Sequence, residues 1–392
     1  MPRPERDTRQ ASAPDDTRPR PPAWFDAHLD LAFLALIGRD LTASDPRASD
    51  DPLQPGFLTL PALAEGGVAT VLATVFTEPE GLPDSGAVDP RVQYDPSDPR
   101  SAFHAGAEQI NLYHRLARDG HLALPASSWA REHGWTPDAR PAAGILVENA
   151  EPILSPSELA WWKDRGVVAV GLTWATPNRY ACGNATPPDQ DTGLSDAGRD
   201  LVHAMDDLGL VHDASHLSDR SLDDLFNTTN ARVIASHSNC RALLTDSAAY
   251  VSGDRAPAAQ RHLTDDAIRE IARRDGVVGL NLYRKFLAPP SRFQTNPRHR
   301  PTIDQTLDHV RRVVELTGSA RHVGLGSDAD GGLDATDLPD GLDHPRDYDR
   351  LAAALGWTDD DTRAFQRGNW DRVFPALGPA LGPALRPASA TQ

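Results

Sequence analysis

Eight short apolar runs, spread along most of the chain, constrain the fold more than any other feature of the sequence. Each run is rich in Val, Ile, Leu or Ala, which is typical of a buried strand. Helical patterns separate most of them, as at Asp196–Leu208, Leu217–Phe226 and Thr264–Arg274. Strand alternating with helix eight times predicts the α/β class and a (β/α)8 TIM barrel. The runs are Trp24–Asp30, Val68–Phe76, Ala143–Glu148, Val167–Thr173, Leu210–His216, Arg232–His237, Val277–Leu282 and His322–Asp328.

The barrel pattern fills the chain between two segments without apolar periodicity. Residues 1–22 are charged and rich in proline, and we expect a disordered arm there. Residues 378–392 are predicted to form a flexible tail, which leaves 23–377 as a single domain. The glycine-rich phosphate loop that doubly wound sheets usually carry is absent from the sequence. The Pro-rich segments 78–100 and 286–304 follow proposed strands, and we expect them to build a site or to be surface insertions.

The net charge of the chain limits which kinds of molecule it is expected to bind. The 392 residues include 39 Lys or Arg and 56 Asp or Glu, a net charge of −17. That balance argues against a nucleic-acid binder and offers no attraction to an anionic membrane. The sequence has no apolar run long enough to span a bilayer, and its first residues do not form a signal peptide, so we expect a cytoplasmic protein. Two cysteines, Cys182 and Cys240, do not make a disulfide framework.

Ionisable residues stand at the carboxyl ends of the apolar runs. Each alone could be a structural residue, such as a core histidine or a helix cap. Together they are costly to bury without partners, and barrel enzymes place their active sites at this face. Imidazoles and carboxylates without a thiolate suit a hydrolytic metal site. These residues are His28, Asp30, Glu148, His216, His237 and Asp328.

The segments that carry these residues resemble the membrane (renal-type) dipeptidase family, peptidase family M19, among the amidohydrolase-like metal-dependent hydrolases. The similarity runs from residue 24 to about residue 375, and the matching segments follow one another in the family's order. They are DAHLD, ILVENAEPI, GLTWATPNRYACGN, GLSDAGRDLVHAMDDLGLVHDASHLS, VIASHSN, RHLTDDAI, VGLGSDADGG and GNWDRVF.

The resemblance implies a zinc-dependent dipeptidase in which a hydroxide bridging two zinc ions attacks the peptide bond. Its substrates would be dipeptides, including those with a C-terminal D-residue, and its assembly a homodimer. Ligands of this kind also accept Mn, Co or Fe. By resemblance, His28 and Asp30 bind the first ion, Glu148 bridges both, His216 and His237 bind the second, Asp328 transfers the proton and Arg261 holds the substrate's terminal carboxylate. From sequence alone, Arg261 reads as an exposed surface residue.

The sequence departs from the family pattern at three places. Trp174 occupies the position where well-known members have a histidine that helps to polarise the scissile carbonyl. A tryptophan carries no charge and offers one indole N–H. ENA stands where GG often follows the glutamate, and the segment between His237 and Arg261 is longer than usual. Two alternatives therefore stay open: a binuclear metal amidohydrolase acting on another amide, lactam or N-acyl amino acid, and a non-catalytic metal-binding barrel.

Overall fold

The computed structural model describes residues 23–81, 91–134, 141–244 and 258–377. The predicted arm 1–22 and the predicted tail 378–392 lie outside the described residues. So do parts of two segments singled out in the sequence, 82–90 and 245–257.

Eight parallel strands form the barrel that the apolar runs predict. Their order is β6-β5-β4-β3-β2-β1-β8-β7. A parallel bridge between Ala235 and Val278 joins the two ends, since the Ala235 N–H donates to Val277 O (3.0 Å) and its carbonyl accepts from Gly279 (2.7 Å). The strands are β1 Trp24–Leu29, β2 Val68–Val75, β3 Ala142–Val147, β4 Val167–Gly171, β5 Val211–Asp213, β6 Val233–Ile234, β7 Val278–Leu280 and β8 Val323–Leu325. Glu78–Pro79 and Gln93–Tyr94 form a separate two-stranded parallel sheet.

Helices surround the barrel, and the three that the sequence predicts are present. Thr264 caps the last of the three, because its hydroxyl accepts a hydrogen bond from the backbone N–H of Ala267. No helix in the described part of the chain is both long enough and apolar enough to cross a bilayer. The α-helices are α1 Leu31–Leu36, α2 Leu60–Glu65, α3 Pro99–Arg118, α4 Ser128–Glu132, α5 Leu159–Asp164, α6 Asp196–Leu208, α7 Asp219–Thr228, α8 Asp265–Arg273, α9 Pro290–Thr295, α10 Ile303–Thr317, α11 Tyr348–Leu355, α12 Asp359–Arg363 and α13 Asn369–Val373.

Inward-facing side chains form an apolar cluster of their own inside the barrel. Leu72 belongs to it, whereas its neighbours Val71 and Ala73 pack in the larger cluster beneath the helices. This alternation is what an extended strand dictates, because successive side chains point to opposite faces. The other strands contribute Phe25, Ala27, Leu146, Ala169 and Ile234 to the inner cluster.

In several of the same inward-facing rows, the side chain two residues after the apolar residue is polar. The pairs are Leu72 and Thr74, Leu146 and Glu148, and Ile234 and Ser236, all of them buried. A polar layer therefore lies directly above the apolar interior, at the carboxyl ends of the strands.

Trp370 on α13 joins the inner cluster, and its removal is expected to destabilise the barrel. The ring is fully buried, lies 6.1 Å from the ring of Phe25 and donates its indole N–H to Leu325 O at 2.9 Å. We expect Trp370→Ala to lower the free energy of unfolding by about 4 kcal/mol, because it opens a large cavity and orphans that carbonyl. Urea unfolding measures this. The half-buried Trp357 supplies the matched control, Trp357→Ala, with a smaller loss; equal losses would contradict the prediction.

Candidate metal centre

All six residues that the sequence places at strand ends lie together at the carboxyl end of the barrel. His28 is within β1, Asp30 precedes α1 and Glu148 directly follows β3. His216, His237 and Asp328 each lie three residues beyond the last residue of β5, β6 and β8. The apolar runs therefore predict those three strands to be longer than they are. The chain leaves the sheet before these residues and turns their side chains toward the centre of the barrel.

The carboxylate of Glu148 is the geometric centre of the group. Its Oε1 lies 2.9 Å from Nε2 of His216, 3.6 Å from Nε2 of His28 and 3.7 Å from Nε2 of His237. Nε2 of His216 and Nε2 of His237 are 3.0 Å apart. Three imidazole nitrogens thus converge on one buried carboxylate.

The ligand atoms fall into three overlapping triads, each with its atoms within 4.8 Å of one another. Two triads share Glu148 and coincide with the two ligand sets that the family resemblance assigns. The third joins His28 and His237 to Asp328. The triads are His28, Asp30 and Glu148; Glu148, His216 and His237; and His28, His237 and Asp328.

Two buried atoms at the centre of this group are suited to bind a cation. Among the described residues, Nε2 of His28 and Oε2 of Glu148 have no hydrogen-bond partner. Burying such atoms unpaired is costly, and both are ordinary ligands of divalent metals. The nitrogen and oxygen donors therefore fit one or more divalent ions of the zinc type.

Burial raises the pKa values of the carboxyl groups in this cluster and lowers those of its imidazoles. Burial raises the pKa of Asp30 to about 6, and burial with the nearby charge of Asp30 raises the pKa of Asp328 to about 8. Burial and the neighbouring carboxylates raise the pKa of Glu148 well above its ordinary value. Burial, foremost, lowers the pKa of His216 and of His237 well below the usual range. A bound cation would favour both the ionised carboxylates and the neutral imidazoles.

Ser236 and Asp213 fix which imidazole nitrogens face the centre. The Ser236 hydroxyl donates to Oδ2 of Asp213 at 2.6 Å, so its oxygen accepts from the Nδ1–H groups of His237 (2.8 Å) and His28 (3.2 Å). Nε2 of each ring is then the nitrogen left for a metal. Sequence reasoning missed both residues. Their signal is positional: Ser236 lies two residues after the inward-facing Ile234.

Asp30 and Asp328 are also held in place from outside the cluster. The Thr74 hydroxyl donates to Oδ1 of Asp30, and Nδ2 of Asn281 donates to Oδ2 of Asp328 at 2.8 Å. Gly331 makes room for both carboxylates, because a Cβ there would lie 2.3 Å from Oδ1 of Asp328 and 2.6 Å from Oδ2 of Asp30. Both carboxylates are therefore positioned before any ligand arrives.

Arg261 and Trp174 line the cavity above this group, which has a volume of about 440 Å³. Arg261 is buried, and its Nη1 donates to Ser215 O (3.1 Å) and to Oγ of Ser238 (3.0 Å). The expectation of an exposed Arg261 is therefore wrong: the turn Ala258–Arg261 crosses the mouth of the barrel. Half-buried Trp174 lies with its ring centroid 6.1 Å from that of His216. The loops predicted at this face contribute Glu78 and Phe286 to the same cavity, while 82–90 lies outside the described residues.

Comparison with known proteins gives the family. The family model described as "Membrane dipeptidase (Peptidase family M19)" matches residues 22–379. The chain belongs to the membrane dipeptidase family. It is a metal-dependent dipeptidase of that family. The dipeptidase aclJ of Aspergillus oryzae is 30% identical over 325 residues, a match that spans 81% of this chain and 69% of that protein.

Two solved structures show the same fold. The dipeptidase AC, a metallopeptidase of family M19, is 24% identical with a TM-score of 0.68, covering 90% of this chain and 98% of that one. A metallopeptidase from Rhodobacter sphaeroides, liganded with a phosphinate mimic of the dipeptide L-Ala-D-Ala, is 24% identical with a TM-score of 0.69, covering 92% of this chain and 100% of that one. At 24% identity, this structural similarity supports the barrel fold alone.

Proposed function

We propose that this member of the membrane dipeptidase family binds two zinc ions and hydrolyses dipeptides, including those with a C-terminal D-residue. One ion would be held by His28, Asp30 and Glu148, the other by Glu148, His216 and His237. The observation that carries the proposal is the convergence of three imidazole Nε2 atoms on Oε1 of Glu148 within 3.7 Å. Such ions, when bound, supply Lewis acidity that polarises the scissile carbonyl and acidifies water.

Asp328 is proposed as the group that moves the proton. Its carboxylate lies beside the ligand cluster with Oδ2 fixed by Asn281. In that position it can accept a proton from the attacking water and return it to the leaving amine.

Arg261 and Glu78 are proposed to recognise the charged ends of the substrate. The hydrogen bonds of Arg261 to described residues use Nη1 alone, which leaves the rest of the guanidinium for a C-terminal carboxylate. The buried Glu78 lines the same cavity, where its Oε1 accepts a hydrogen bond from Nε2 of Gln93 (3.1 Å), and its negative charge would attract a free ammonium group. Recognition of both ends would restrict the enzyme to dipeptides and disfavours N-acyl substrates.

A metal-quantified substrate panel tests the function. Zinc-loaded protein is assayed with L-L and L-D dipeptides, and in parallel with N-acyl amino acids and lactams. We expect cleavage of the dipeptides at about two zinc ions per chain, in line with the shared ligand sets. Faster turnover of lactams or N-acyl amino acids would favour the wider amidohydrolase alternative. Two bound ions with no hydrolysis at all would favour the non-catalytic barrel.

Replacing Arg261 is expected to weaken dipeptide recognition selectively. We expect Arg261→Ala to reduce kcat/KM for dipeptides about 50-fold, because a charge-assisted hydrogen bond to the substrate carboxylate is lost. Dipeptide amides, which lack that carboxylate, should lose much less. Steady-state kinetics on each acid and its amide measure the difference, with Arg261→Lys as a variant that retains the charge. Equal losses on acid and amide would contradict the assignment.

The homodimer and the cytoplasmic location remain proposals as well. Light scattering of the purified protein tests the first, and fractionation of the source cells tests the second.

A further inference from the structure

Three aromatic side chains that contact one another in a row form one wall of the cavity above the metal-site residues. The rings of Phe33 and Phe76 meet edge to face with centroids 5.9 Å apart, and those of Phe76 and Trp174 do so at 5.2 Å. All three side chains line the cavity, which Ile37 and Leu53 extend with further apolar surface. We call Phe33, Phe76 and Trp174 the aromatic wall.

The aromatic wall is fixed from behind. The buried side chain of Gln109 on α3 accepts a hydrogen bond from the backbone N–H of Phe76 (2.9 Å) and donates another to its carbonyl. The backbone beside Trp174 is packed closely against Gly183, where a Cβ would lie 2.0 Å from Trp174 O. A surface held in this way does not have to be ordered when a ligand binds, so contact with it translates efficiently into affinity.

Phe76, the central ring of the aromatic wall, lies across the barrel from Arg261. Phe76 follows β2, and Arg261 lies in the connection that follows β6. In the closed order of strands, β2 and β6 are four positions apart in either direction, which places them opposite each other. The metal-site residues lie between the two sides, with the ring of Trp174 near that of His216. A dipeptide whose carboxylate reaches Arg261 would therefore extend its N-terminal residue toward the aromatic wall.

We propose that the aromatic wall binds the side chain of the substrate's N-terminal residue and makes the enzyme selective for large apolar residues such as Leu or Phe at that position. The inference rests on the proposed function, since it needs Arg261 to take the C-terminal carboxylate. The three rings carry no charge and offer a single hydrogen-bond donor, the indole N–H of Trp174, whereas an apolar side chain loses its hydration against them and gains edge-to-face contacts. Trp174, at the position where well-known members have histidine, then acts as a specificity residue.

A series of dipeptides with constant C-terminal alanine tests the inference. The substrates are Gly-Ala, Ala-Ala, Leu-Ala and Phe-Ala, and the measured quantity is kcat/KM for each. We expect the zinc-loaded enzyme to favour Phe-Ala over Gly-Ala about 30-fold, as burial of a large apolar side chain allows. In Phe76→Ala and Trp174→Ala this ratio should fall below about 5, because the surface that discriminates has been removed. Phe76→Leu is a milder change than Phe76→Ala, because it removes the ring but keeps a large apolar side chain in the wall.

The control and the possible outcomes separate this inference from the proposed function. Phe103→Ala removes a ring that packs edge to face on Trp162 (6.0 Å) and does not line the cavity, so its selectivity ratio should match that of the unaltered enzyme. Equal kcat/KM across the series would overturn the inference while dipeptide hydrolysis stands. Ala-Phe is assayed beside the series, and a preference for it over Phe-Ala would overturn the inference by placing the apolar subsite at the C-terminal residue. Hydrolysis of no dipeptide would overturn the proposed function and the inference with it.

Discussion

Replacing Asp328 by asparagine is expected to lower kcat for dipeptides about 1,000-fold with no loss of bound metal, because an amide cannot carry the transferred proton. Asparagine preserves the shape of the side chain and can still accept the hydrogen bond from Asn281. It also tolerates the left-handed backbone at this residue, where φ is 58°. Steady-state kinetics with metal quantified in the same sample measure both quantities.

The control for this substitution lies in the same segment of chain. Asp340 is exposed, and Asp340→Asn makes the same change of charge without touching the cavity. Its kcat should stay within about 2-fold of the unaltered enzyme, as is usual for surface substitutions. Full activity in Asp328→Asn would show that another group moves the proton. Loss of metal together with activity would instead make Asp328 a ligand, alongside His28 and His237 in the third triad.

The barrel and the ligand set could be predicted from the sequence because they depend on local patterns. A parallel strand covered on both faces is a continuous apolar run, and its carboxyl end is marked by the first ionisable residue, as at Glu148 after Val147. This rule misplaces the carboxyl end where the strand stops several residues before the ionisable side chain. Only an alanine and a serine separate the strand ends from His216 and His237, so the sequence cannot distinguish the strand from the turn that orients the side chain.

The supporting residues could not be predicted in the same way, because their roles depend on distant parts of the chain. Ser236 acts through Asp213, 23 residues away, and through His28, 208 residues away. A serine just beyond the end of a strand gives no compositional signal of that role. Arg261 is buried only because the turn that carries it crosses the barrel mouth and reaches Ser215, 46 residues earlier. Long-range contacts of this kind leave no local periodicity to read.

Replacing Glu148 by glutamine is expected to weaken zinc binding at least 100-fold and, with it, to remove dipeptide hydrolysis. Both proposed ligand sets share this carboxylate, and loss even of a group that merely supports a metal ligand can cost 10- to 100-fold in affinity. The amide also replaces a buried carboxyl group whose pKa is raised well above its ordinary value by burial and by the charge of Asp30, so the metal-free variant should unfold no more easily than the metal-free parent.

The weaker zinc binding and the unchanged stability of the metal-free variant together predict how zinc changes the melting temperature, Tm. Zinc should raise Tm of the unaltered protein, because a ligand that binds the folded state stabilises it, and should raise Tm of Glu148→Gln much less. Metal content after dialysis and Tm with and without zinc measure the difference. Glu151→Gln is the matched control: Glu151 pairs with Nε of Arg179 at 3.0 Å, so its loss should lower Tm but leave the zinc content unchanged. Two tightly bound zinc ions in Glu148→Gln would show that the carboxylate does not bridge them.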